Sequence, residues 1–283
     1  MTVKTALDQG AKLLENEAVP ASRLTAEVLL CHALQREKSY LYAHPEADLS
    51  ELAWIHYGRY LHERMKGKPT QYITHRQEFY GRMFRVTPDV LIPRPETEHV
   101  VEASLEFHAG RVLDIGCGSG AIAITISCES RAAVWATDIS TKALSVARDN
   151  AERLGARVHF AAADLGECFA SQSFDLIVSN PPYVSTHDAE GMQREVRDWE
   201  PHVALFAGES GNEIYSRIVK CAERLLIPGG HLVFELGYRS AQAVKAMFGA
   251  RWRDVELRPD LAGIDRVLMA QIRAPTEPGR DCN

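Results

Sequence analysis

A chain of 283 residues with 46% apolar side chains is long enough to bury one large core and a second, smaller one. Its formal net charge of -6 and isoelectric point near 6.0 argue against an extended electrostatic grip on nucleic acid. The six cysteines form no C-x-x-C pair and no metal-ligand spacing with histidine, a usage typical of buried thiols in a reducing cytosol. No segment has the pattern of a signal peptide or the apolar length of a membrane span, so we expect a cytoplasmic protein.

The first predicted unit is a small helical bundle over residues 1–66. Apolar and small residues recur there at helical spacing on two faces, one with Leu24, Val28 and Cys31 and the other with Trp54, Gly58, Leu61 and Met65. Two roles stay open for this bundle. It could dock a protein substrate, or it could be a cap that stabilises the rest of the chain.

Residues 67–92 change to short extended segments broken by glycine and proline, a pattern typical of a linker that carries a β-hairpin. The rigid stretch Pro93-Arg94-Pro95 then leads to Glu96, which is predicted to open a helix because proline and acidic residues are favoured in a first turn. Thr97 or Glu98 is expected to face a bound ligand.

The residues Arg111 to Gly120, which read RVLDIGCGSG, predict a buried strand followed by a glycine-rich turn and a helix. Glycines in such a turn allow the backbone to approach a ligand closely, near a helix amino terminus. Asp138 follows the next predicted strand, 22 residues beyond Gly116, where a carboxylate can accept hydrogen bonds from ribose hydroxyls. The pattern indicates a nucleoside cofactor. A nicotinamide enzyme is an alternative, because GCGSGA also satisfies the dinucleotide fingerprint, but no hydride-transfer site follows.

Asn180-Pro181-Pro182-Tyr183 directly follows the predicted strand Phe174 to Val178, at the end where α/β sheets bind ligands. An amide nitrogen is a poor nucleophile because its lone pair is delocalised. If the Asn180 side-chain oxygen and the Pro181 carbonyl accept its two protons, the lone pair can be aimed at an electrophilic methyl group. Tyr183 offers a flat face for a planar group. The pattern indicates methyl transfer to a planar nitrogen, with an ordinary Asn-Pro turn as the alternative.

From Arg111 onward strands and helices alternate, which predicts an α/β fold with a mostly parallel sheet. Seven strands are predicted near 111–115, 133–137, 157–161, 174–178, 231–236, 252–257 and 266–272, the last two as a hairpin at one edge. The polar stretch from Val184 to Gly211 is predicted to be a loop over the substrate, with Glu195, Trp199 and Glu200 as candidate contacts. Residues 274–283 are predicted to be disordered.

The segments LDIGCGSGAIAI, ATDIS and SNPPY, in this order and spacing, resemble class I S-adenosyl-L-methionine-dependent methyltransferases that modify amide or exocyclic amino nitrogens. The segments PTQYI, LIPRPETE, EPHVALFAG, LIPGGHLVFELG and DLAGIDRV narrow the resemblance to the PrmC/HemK family, the N5-glutamine methyltransferases of peptide chain release factors. The similarity covers nearly the whole chain. It implies a class I methyltransferase (Rossmann-like) domain over 93–273, a helical substrate-docking domain over 1–66 and the linker 67–92 between them.

Carried over residue by residue, the resemblance implies a cofactor site made of Gly116, Cys117, Gly118, Ser119, Gly120, Asp138, Leu165 and Asn180. Asp138 is the implied ribose acceptor. The implied substrate site is Asn180, Pro181, Pro182 and Tyr183, with Asn180, Pro181 and Tyr183 as catalytic residues. Two positions depart from the family. Asp164-Leu165 stands where an Asp-Trp pair is common, so the adenine loses its aromatic neighbour, and Thr74 stands where glycine is usual.

The resemblance implies methylation of the glutamine in the Gly-Gly-Gln motif of class 1 release factors, with S-adenosyl-L-homocysteine as the product. It implies a cytoplasmic monomer that contacts neither membrane nor nucleic acid. Three alternatives stay open: a ribosomal-protein glutamine as substrate, the N6 amino group of adenine in nucleic acid, or a cofactor-binding interaction module without catalysis. A nucleic-acid enzyme should carry a basic face, for which the candidates are Arg76, Arg82, Arg85 and Arg94.

Overall fold

The computed structural model describes residues 1–274 and divides the chain into two compact units. The first contains Met1–Arg76 and Gln193–Trp199, and the second contains Gln77–Met192 and the chain from Glu200 onward. Of the tail predicted to be disordered, all residues after Ala274 lie outside the described residues. None of the helices within residues 1–274 combines the length and apolar character needed to cross a bilayer.

The first unit is built from helices, as its sequence pattern predicts. They are α1 (Val3–Asn16), α2 (Ser22–Leu34), α3 (Lys38–Ala43), α4 (Glu51–Met65), α5 (Thr70–Thr74) and the later helix α9 (Arg194–Trp199). Side-chain caps start two of them: the Thr2 hydroxyl accepts from the Thr5 amide, and the Ser50 hydroxyl accepts from the Ala53 amide. Thr74, at the end of α5, donates to the Thr70 carbonyl at 3.0 Å.

The face of α2 that was predicted from Leu24 and Val28 is not the buried one. Leu24 is 51% exposed and Val28 is 38% exposed. The helix instead buries a neighbouring stripe with Leu29 and Leu30, which pack with Tyr57 of α4. Apolar residues surround much of α2, so its periodicity alone did not identify the inward face.

The second unit contains the predicted seven-stranded sheet. Its strands are β3 (Arg111–Ile115), β4 (Ala133–Asp138), β5 (Val158–Ala162), β6 (Phe174–Ser179), β9 (Leu226–Glu235), β10 (Trp252–Pro259) and β11 (Asp265–Ile272). Their spatial order is β10-β11-β9-β6-β3-β4-β5, and the edge hairpin β10–β11 pairs antiparallel while β9, β6, β3, β4 and β5 run parallel. The helices of this unit are α6 (Glu98–Leu105), α7 (Ala121–Glu129), α8 (Thr141–Leu154), α10 (Glu213–Leu225) and α11 (Ala241–Lys245).

The strand order reverses between β3 and β6, which is where open α/β sheets bind ligands. Ile115 at the end of β3 pairs with Ser179 at the end of β6. The Ser179 hydroxyl also donates to the Ile115 carbonyl at 2.7 Å. Gly116 and Asn180 therefore leave the sheet side by side, and the two segments singled out in the sequence meet at one edge.

The hairpin in the segment 67–92 is formed by β1 (Arg76–Phe79) and β2 (Arg82–Arg85). Phe79 and Phe84 are fully buried in the core of the second unit, and the hairpin belongs to that unit from Gln77 onward. Helix α5, in the same predicted segment, lies in the first unit, which runs beyond residue 66. The functional division into docking domain, linker and catalytic domain stays a prediction.

Asn150 of α8 joins the hairpin to the glycine-rich turn. Its Oδ1 accepts from the Arg85 amide at 2.7 Å, and its Nδ2 donates to the carbonyls of Arg85 (2.9 Å) and Ser119 (3.0 Å). The side chain is 1% exposed. One buried amide thus satisfies three main-chain groups, of which the Ser119 carbonyl is buried and the two of Arg85 are partly buried.

We expect Asn150→Ala to lower the free energy of unfolding by about 3 kcal/mol, because it removes three hydrogen bonds to main-chain groups and leaves the buried Ser119 carbonyl without this partner. The measurement is chemical denaturation of the purified protein. The matched control is Gln242→Ala, which removes an exposed amide from α11 of the same unit and should stay within about 0.5 kcal/mol of the parent. Equal stability of the two variants would contradict this role of Asn150.

The stretch 184–211 is more ordered than a plain loop. It contains two short strands that pair in parallel, β7 (Val184–Ser185) and β8 (Phe206–Gly208), and the helix α9. Within the first unit, the Glu195 carboxylate accepts from Arg64 Nη2 at 2.6 Å, and the Lys68 ammonium lies over the Trp199 ring. These two predicted substrate contacts are therefore engaged in the scaffold of their own unit.

Candidate active site

A cavity of about 350 Å³ opens in the second unit at the carboxyl ends of β3, β4 and β6. Most of the residues predicted to form the site line it: Gly116, Cys117, Gly118, Ser119, Asp138, Leu165, Asn180, Pro181 and Pro182. Its size is in the range of pockets for small ligands. The structure thus brings the predicted cofactor and substrate residues to one cavity, with the exceptions of Gly120 and Tyr183.

The glycine-rich turn is held by the neighbouring strand β4. The amides of Gly116 and Cys117 both donate to the Thr137 carbonyl, at 2.8 and 2.9 Å. Gly116 and Gly118 have positive φ angles of 73° and 54°, which favour glycine. A Cβ atom at either position would meet no atom within 4 Å, so a side chain there would take up space that is open to a ligand.

Gly120 has a packing role rather than a place on the cavity wall. A Cβ atom there would lie 2.8 Å from Ile124 Cδ1 and 3.2 Å from Ala147 Cβ. The residue also has a φ angle of 83° at the start of α7. Gly120 is therefore needed so that α7 can pack against α8, and its predicted contact with the cofactor is not supported by the cavity lining.

Asp138 holds the glycine-rich turn and faces the cavity. Its Oδ2 accepts from the Gly118 amide at 2.9 Å, and its Oδ1 accepts from the Ser140 amide at 2.8 Å. Each carboxylate oxygen can accept a second hydrogen bond, so the group can still receive ribose hydroxyls. Burial raises the pKa of the Asp138 carboxyl, and the amides of Ser140, Gly118 and Ile139 oppose this shift.

Two further titratable groups lie under the turn. Cys117 is buried, and burial, with the carboxylates of Asp114 and Asp138 adding to it, raises the pKa of its thiol well above the usual value. A neutral thiol is a poor nucleophile, which agrees with a structural role for Cys117. Burial also raises the pKa of Asp114 to about 7, although the Ala123 amide donates to its Oδ2 at 3.1 Å. Asp114 has no functional signature in the sequence, because it follows apolar residues in an ordinary strand.

The end of the cavity near Leu165 has apolar side chains and one ion pair. Leu165 lines the cavity together with Ile139, and it adopts a positive φ angle of 51°. Arg217 of α10, which the sequence analysis missed, binds Asp164 at 2.7 Å, and both line the cavity. Leu165 can cover the face of a base but offers no aromatic ring for stacking.

Asn180 and Pro181 both line the cavity and each carries an oxygen atom that can accept a hydrogen bond. The Asn180 Nδ2 donates to the Thr97 hydroxyl at 2.9 Å, while its Oδ1 accepts no hydrogen bond from residues 1–274. The Pro181 carbonyl accepts no main-chain hydrogen bond from the same part of the chain. Thr97 lines the cavity, whereas Glu98 accepts from the Tyr80 amide and does not. Of the two residues expected to face the ligand, the structure selects Thr97.

Tyr183 does not line the cavity but packs against two glycines. A Cβ atom at Gly237 would lie 2.7 Å from Tyr183 Cδ2, and one at Gly211 would lie 2.6 Å from the Tyr183 carbonyl oxygen. Burial raises the pKa of the Tyr183 hydroxyl to about 12, so it stays neutral at physiological pH. The roles of Gly211 and Gly237 were not visible in the sequence, because only the fold brings them to Tyr183.

Glu200, a predicted substrate contact, instead holds two segments of the cavity wall together. Its side chain is 1% exposed and accepts from Arg94 Nη2 at 2.5 Å, and it also accepts from the Ile92 amide at 3.2 Å. The neighbouring Val203 and Phe206 line the cavity in its place. Burial of the charge is thus accompanied by an ion pair and an amide donor, as a buried carboxylate requires.

Two protein-family models match parts of this chain. The PrmC N-terminal domain matches residues 5–74, and the Methyltransferase small domain matches residues 97–196. Among solved structures, a methyltransferase from Pyrococcus furiosus is 19% identical with a TM-score of 0.53 and covers 69% of this chain and 91% of its own. A Thermus thermophilus 16S rRNA N2 G1207 methyltransferase, solved with AdoMet and guanosine, is 20% identical with a TM-score of 0.50 and covers 70% of this chain and 50% of its own. These likenesses confirm the class I methyltransferase fold.

Curated relatives are more similar and extend over nearly the whole chain. The release factor glutamine methyltransferase of Koribacter versatilis is 45% identical over 282 residues, 98% of this chain and 100% of that protein. The enzyme of the same name from Nitratidesulfovibrio vulgaris is 40% identical over 95% of both chains. That of Bacillus subtilis is 39% identical over 87% of this chain and 90% of its own. The chain therefore belongs to the family of release factor glutamine methyltransferases.

Proposed function

We propose that this protein transfers a methyl group from S-adenosyl-L-methionine to the side-chain amide nitrogen, N5, of the glutamine in the Gly-Gly-Gln motif of class 1 peptide chain release factors. The observation that carries the proposal is that Asn180 and Pro181 line the cavity beside the glycine-rich turn, and that no hydrogen bond to Asn180 Oδ1 and no main-chain hydrogen bond to the Pro181 carbonyl comes from residues 1–274. A primary amide carries two N–H donors on one nitrogen, and two acceptors match them.

The cavity fits a nucleoside cofactor. The open space over Gly116 and Gly118 leaves room for a ligand against the backbone, and Asp138 retains acceptor capacity for ribose hydroxyls. Leu165 and Ile139 provide apolar surface for the base. When bound, S-adenosyl-L-methionine supplies an electrophilic methyl group on a positively charged sulfur.

The chain's own contribution to the reaction is to orient and polarise the substrate amide. If Asn180 Oδ1 and the Pro181 carbonyl accept hydrogen bonds from its two N–H groups, they would stabilise the positive charge that develops on nitrogen as the N–C bond forms and the S–C bond of the methyl donor breaks, leaving S-adenosyl-L-homocysteine. The rigid Pro181-Pro182 backbone keeps the two acceptors in place before the substrate binds. The N-protonated amide that results is a strong acid and passes its proton to water after the transfer, so no general base of matched pKa is needed beforehand.

Charge distribution favours a protein substrate over nucleic acid. Three of the four arginines considered for a basic patch are paired with carboxylates: Arg82 with Glu129, Arg85 with Asp149 and Arg94 with Glu200. Paired arginines contribute less to phosphate binding, which requires uncompensated positive charge. We infer a cytoplasmic monomer in which the first unit docks the release factor and no nucleic acid is contacted directly.

The test is incubation of the purified protein with a class 1 release factor and cofactor carrying a labelled methyl group, followed by mass mapping of the modified residue. We expect label on the glutamine of the Gly-Gly-Gln motif and none on a factor whose glutamine is replaced by asparagine. Ribosomal proteins and adenine-containing nucleic acid are assayed in parallel. Label on either of these and not on the release factor would contradict the proposal, as would binding of the cofactor without any transfer.

A further inference from the structure

A chain of two hydrogen bonds runs from Asn180 into the interior of the second unit. The Asn180 Nδ2 donates to Thr97 Oγ1 at 2.9 Å, and Thr97 Oγ1 donates to Glu235 Oε2 at 2.5 Å. Thr97 is 4% exposed and Glu235 is 2% exposed, so solvent does not compete for the bond between them, while the bond from Asn180 is partly buried. We propose that Thr97 and Glu235 are positioning residues that hold the Asn180 amide with its oxygen toward the substrate. This inference rests on the proposed function of Asn180.

The direction of the chain follows from counting protons. A threonine hydroxyl has one proton, and an ionised carboxylate can only accept. With Glu235 ionised, the proton of Thr97 is committed to Glu235, so Thr97 can only accept from Asn180. The Asn180 amide must then turn its NH2 group toward Thr97 and its oxygen toward the cavity. In the opposite orientation of the amide, Asn180 Oδ1 and Thr97 Oγ1 would face each other, and neither would have a proton to donate.

The sheet holds two of the three residues in register, and Thr97 comes from the short 3-10 helix Pro95–Thr97. Ser179 of β6 pairs with Phe234 of β9, so Asn180, just beyond β6, and Glu235, the last residue of β9, follow paired positions. The main chain at Glu235 is fixed further, because the Tyr215 hydroxyl donates to the Glu235 carbonyl at 3.0 Å and accepts from the Gly237 amide at 2.9 Å. The rigid strand positions thus set the geometry of the chain of hydrogen bonds.

The charged and titratable groups that face Glu235 come from several segments: Arg94, Glu96, Arg266, Tyr183 and Tyr215. Burial raises the pKa of the Glu235 carboxyl to about 7, against the opposing effects of the Thr97 hydrogen bond and the arginines.

A protonated Glu235 can donate to Thr97, which frees the Thr97 proton for a hydrogen bond to Asn180 Oδ1. The amide then loses its imposed orientation. We therefore expect kcat to fall as the pH drops through about 7, because the ionised form is the active one.

The first test compares Thr97→Val, which keeps the shape of the side chain but removes the hydroxyl, with Thr97→Ser, which keeps the hydroxyl. Thr97→Val should lower kcat about 10- to 100-fold without a change in the dissociation constant of S-adenosyl-L-methionine, and Thr97→Ser should retain most of the activity. Equal kcat values for the two variants, or a loss confined to cofactor affinity, would overturn the inference.

The second test follows kcat across the pH range from about 6 to 9. Glu235→Gln should lower kcat and flatten the acidic limb of the profile. Asp114 is a second buried carboxyl whose pKa is raised to about 7, so Asp114→Asn serves as the control. The acidic limb of the kcat profile should persist in Asp114→Asn. A Glu235→Gln variant with the parent's kcat and pH profile would overturn the inference.

The two proposals fail in different ways. If the parent protein transfers no methyl group to the release factor, the proposed function has failed. If the parent protein transfers the methyl group and Thr97→Val has the same kcat, only the positioning role has failed.

Discussion

Replacing Asn180 with alanine is expected to lower kcat about 10²- to 10³-fold, comparable to the loss of one preorganised hydrogen-bonding group at other reacting centres. The Asn180 Oδ1 is one of the two acceptors for the substrate amide, and Pro181 alone cannot hold both protons. Truncation also leaves Thr97 without the donor that it has in the parent structure. Steady-state methylation of a release factor, with kcat and KM separated, measures this loss.

The assignment of Asn180 to the chemical step depends on two controls. Cofactor affinity, measured by calorimetry, should change less than about threefold, because Asp138 and the glycine-rich turn remain intact. The surface variant Gln242→Ala, which removes an exposed amide from the same unit, should keep the parent's kcat. A turnover close to the parent's in Asn180→Ala would remove the basis for the mechanism.

Asp138→Ala should act on cofactor binding instead. We expect the dissociation constant of S-adenosyl-L-methionine to rise about 100-fold, which corresponds to the loss of charge-assisted hydrogen bonds worth about 2.7 kcal/mol. Part of the loss comes from the ribose acceptor, and part comes from the turn, since the Gly118 and Ser140 amides lose their partner. Calorimetric titration measures the affinity, and kcat at saturating cofactor should fall less than in Asn180→Ala.

Asp138→Asn provides the matched comparison, because it keeps the size of the side chain and one oxygen. Its Oδ1 can still accept from one main-chain amide, but the NH2 group faces the other amide donor. We expect an affinity between those of the parent and Asp138→Ala. Parent-like affinity in the alanine variant would show that Asp138 neither binds ribose nor holds the turn.

The sequence predicted the fold well where the signals were local. Alternating strands and helices with short turns identified all seven strands of the sheet and its edge hairpin. Strand β9 begins at Leu226, earlier than predicted, because Leu226 pairs with Phe174 ahead of Gly229 and Gly230. The stretch 184–211 was predicted as a loop, since strands as short as β7 and β8 depend on pairing with distant residues rather than on their own pattern.

The site was predictable to the extent that its residues lie in contiguous turns. The glycine-rich turn and the segment from Asn180 to Pro182 follow buried strands, and both line the cavity. Glu235 ends an apolar strand, and Asn150 lies in the middle of a helix, so neither has a local signature. Their roles arise from contacts with residues more than 60 positions away in the sequence. The position of Tyr183 behind the cavity wall likewise depends on Gly237, which only the sheet brings near it.

The most direct test of the mechanism is a crystal structure with S-adenosyl-L-homocysteine and a peptide that contains the Gly-Gly-Gln motif. We expect the glutamine amide nitrogen within about 3 Å of both Asn180 Oδ1 and the Pro181 carbonyl oxygen, with Asn180 Nδ2 still hydrogen-bonded to Thr97. A glutamine whose carbonyl oxygen faces Asn180, or whose amide lies away from both acceptors, would contradict it.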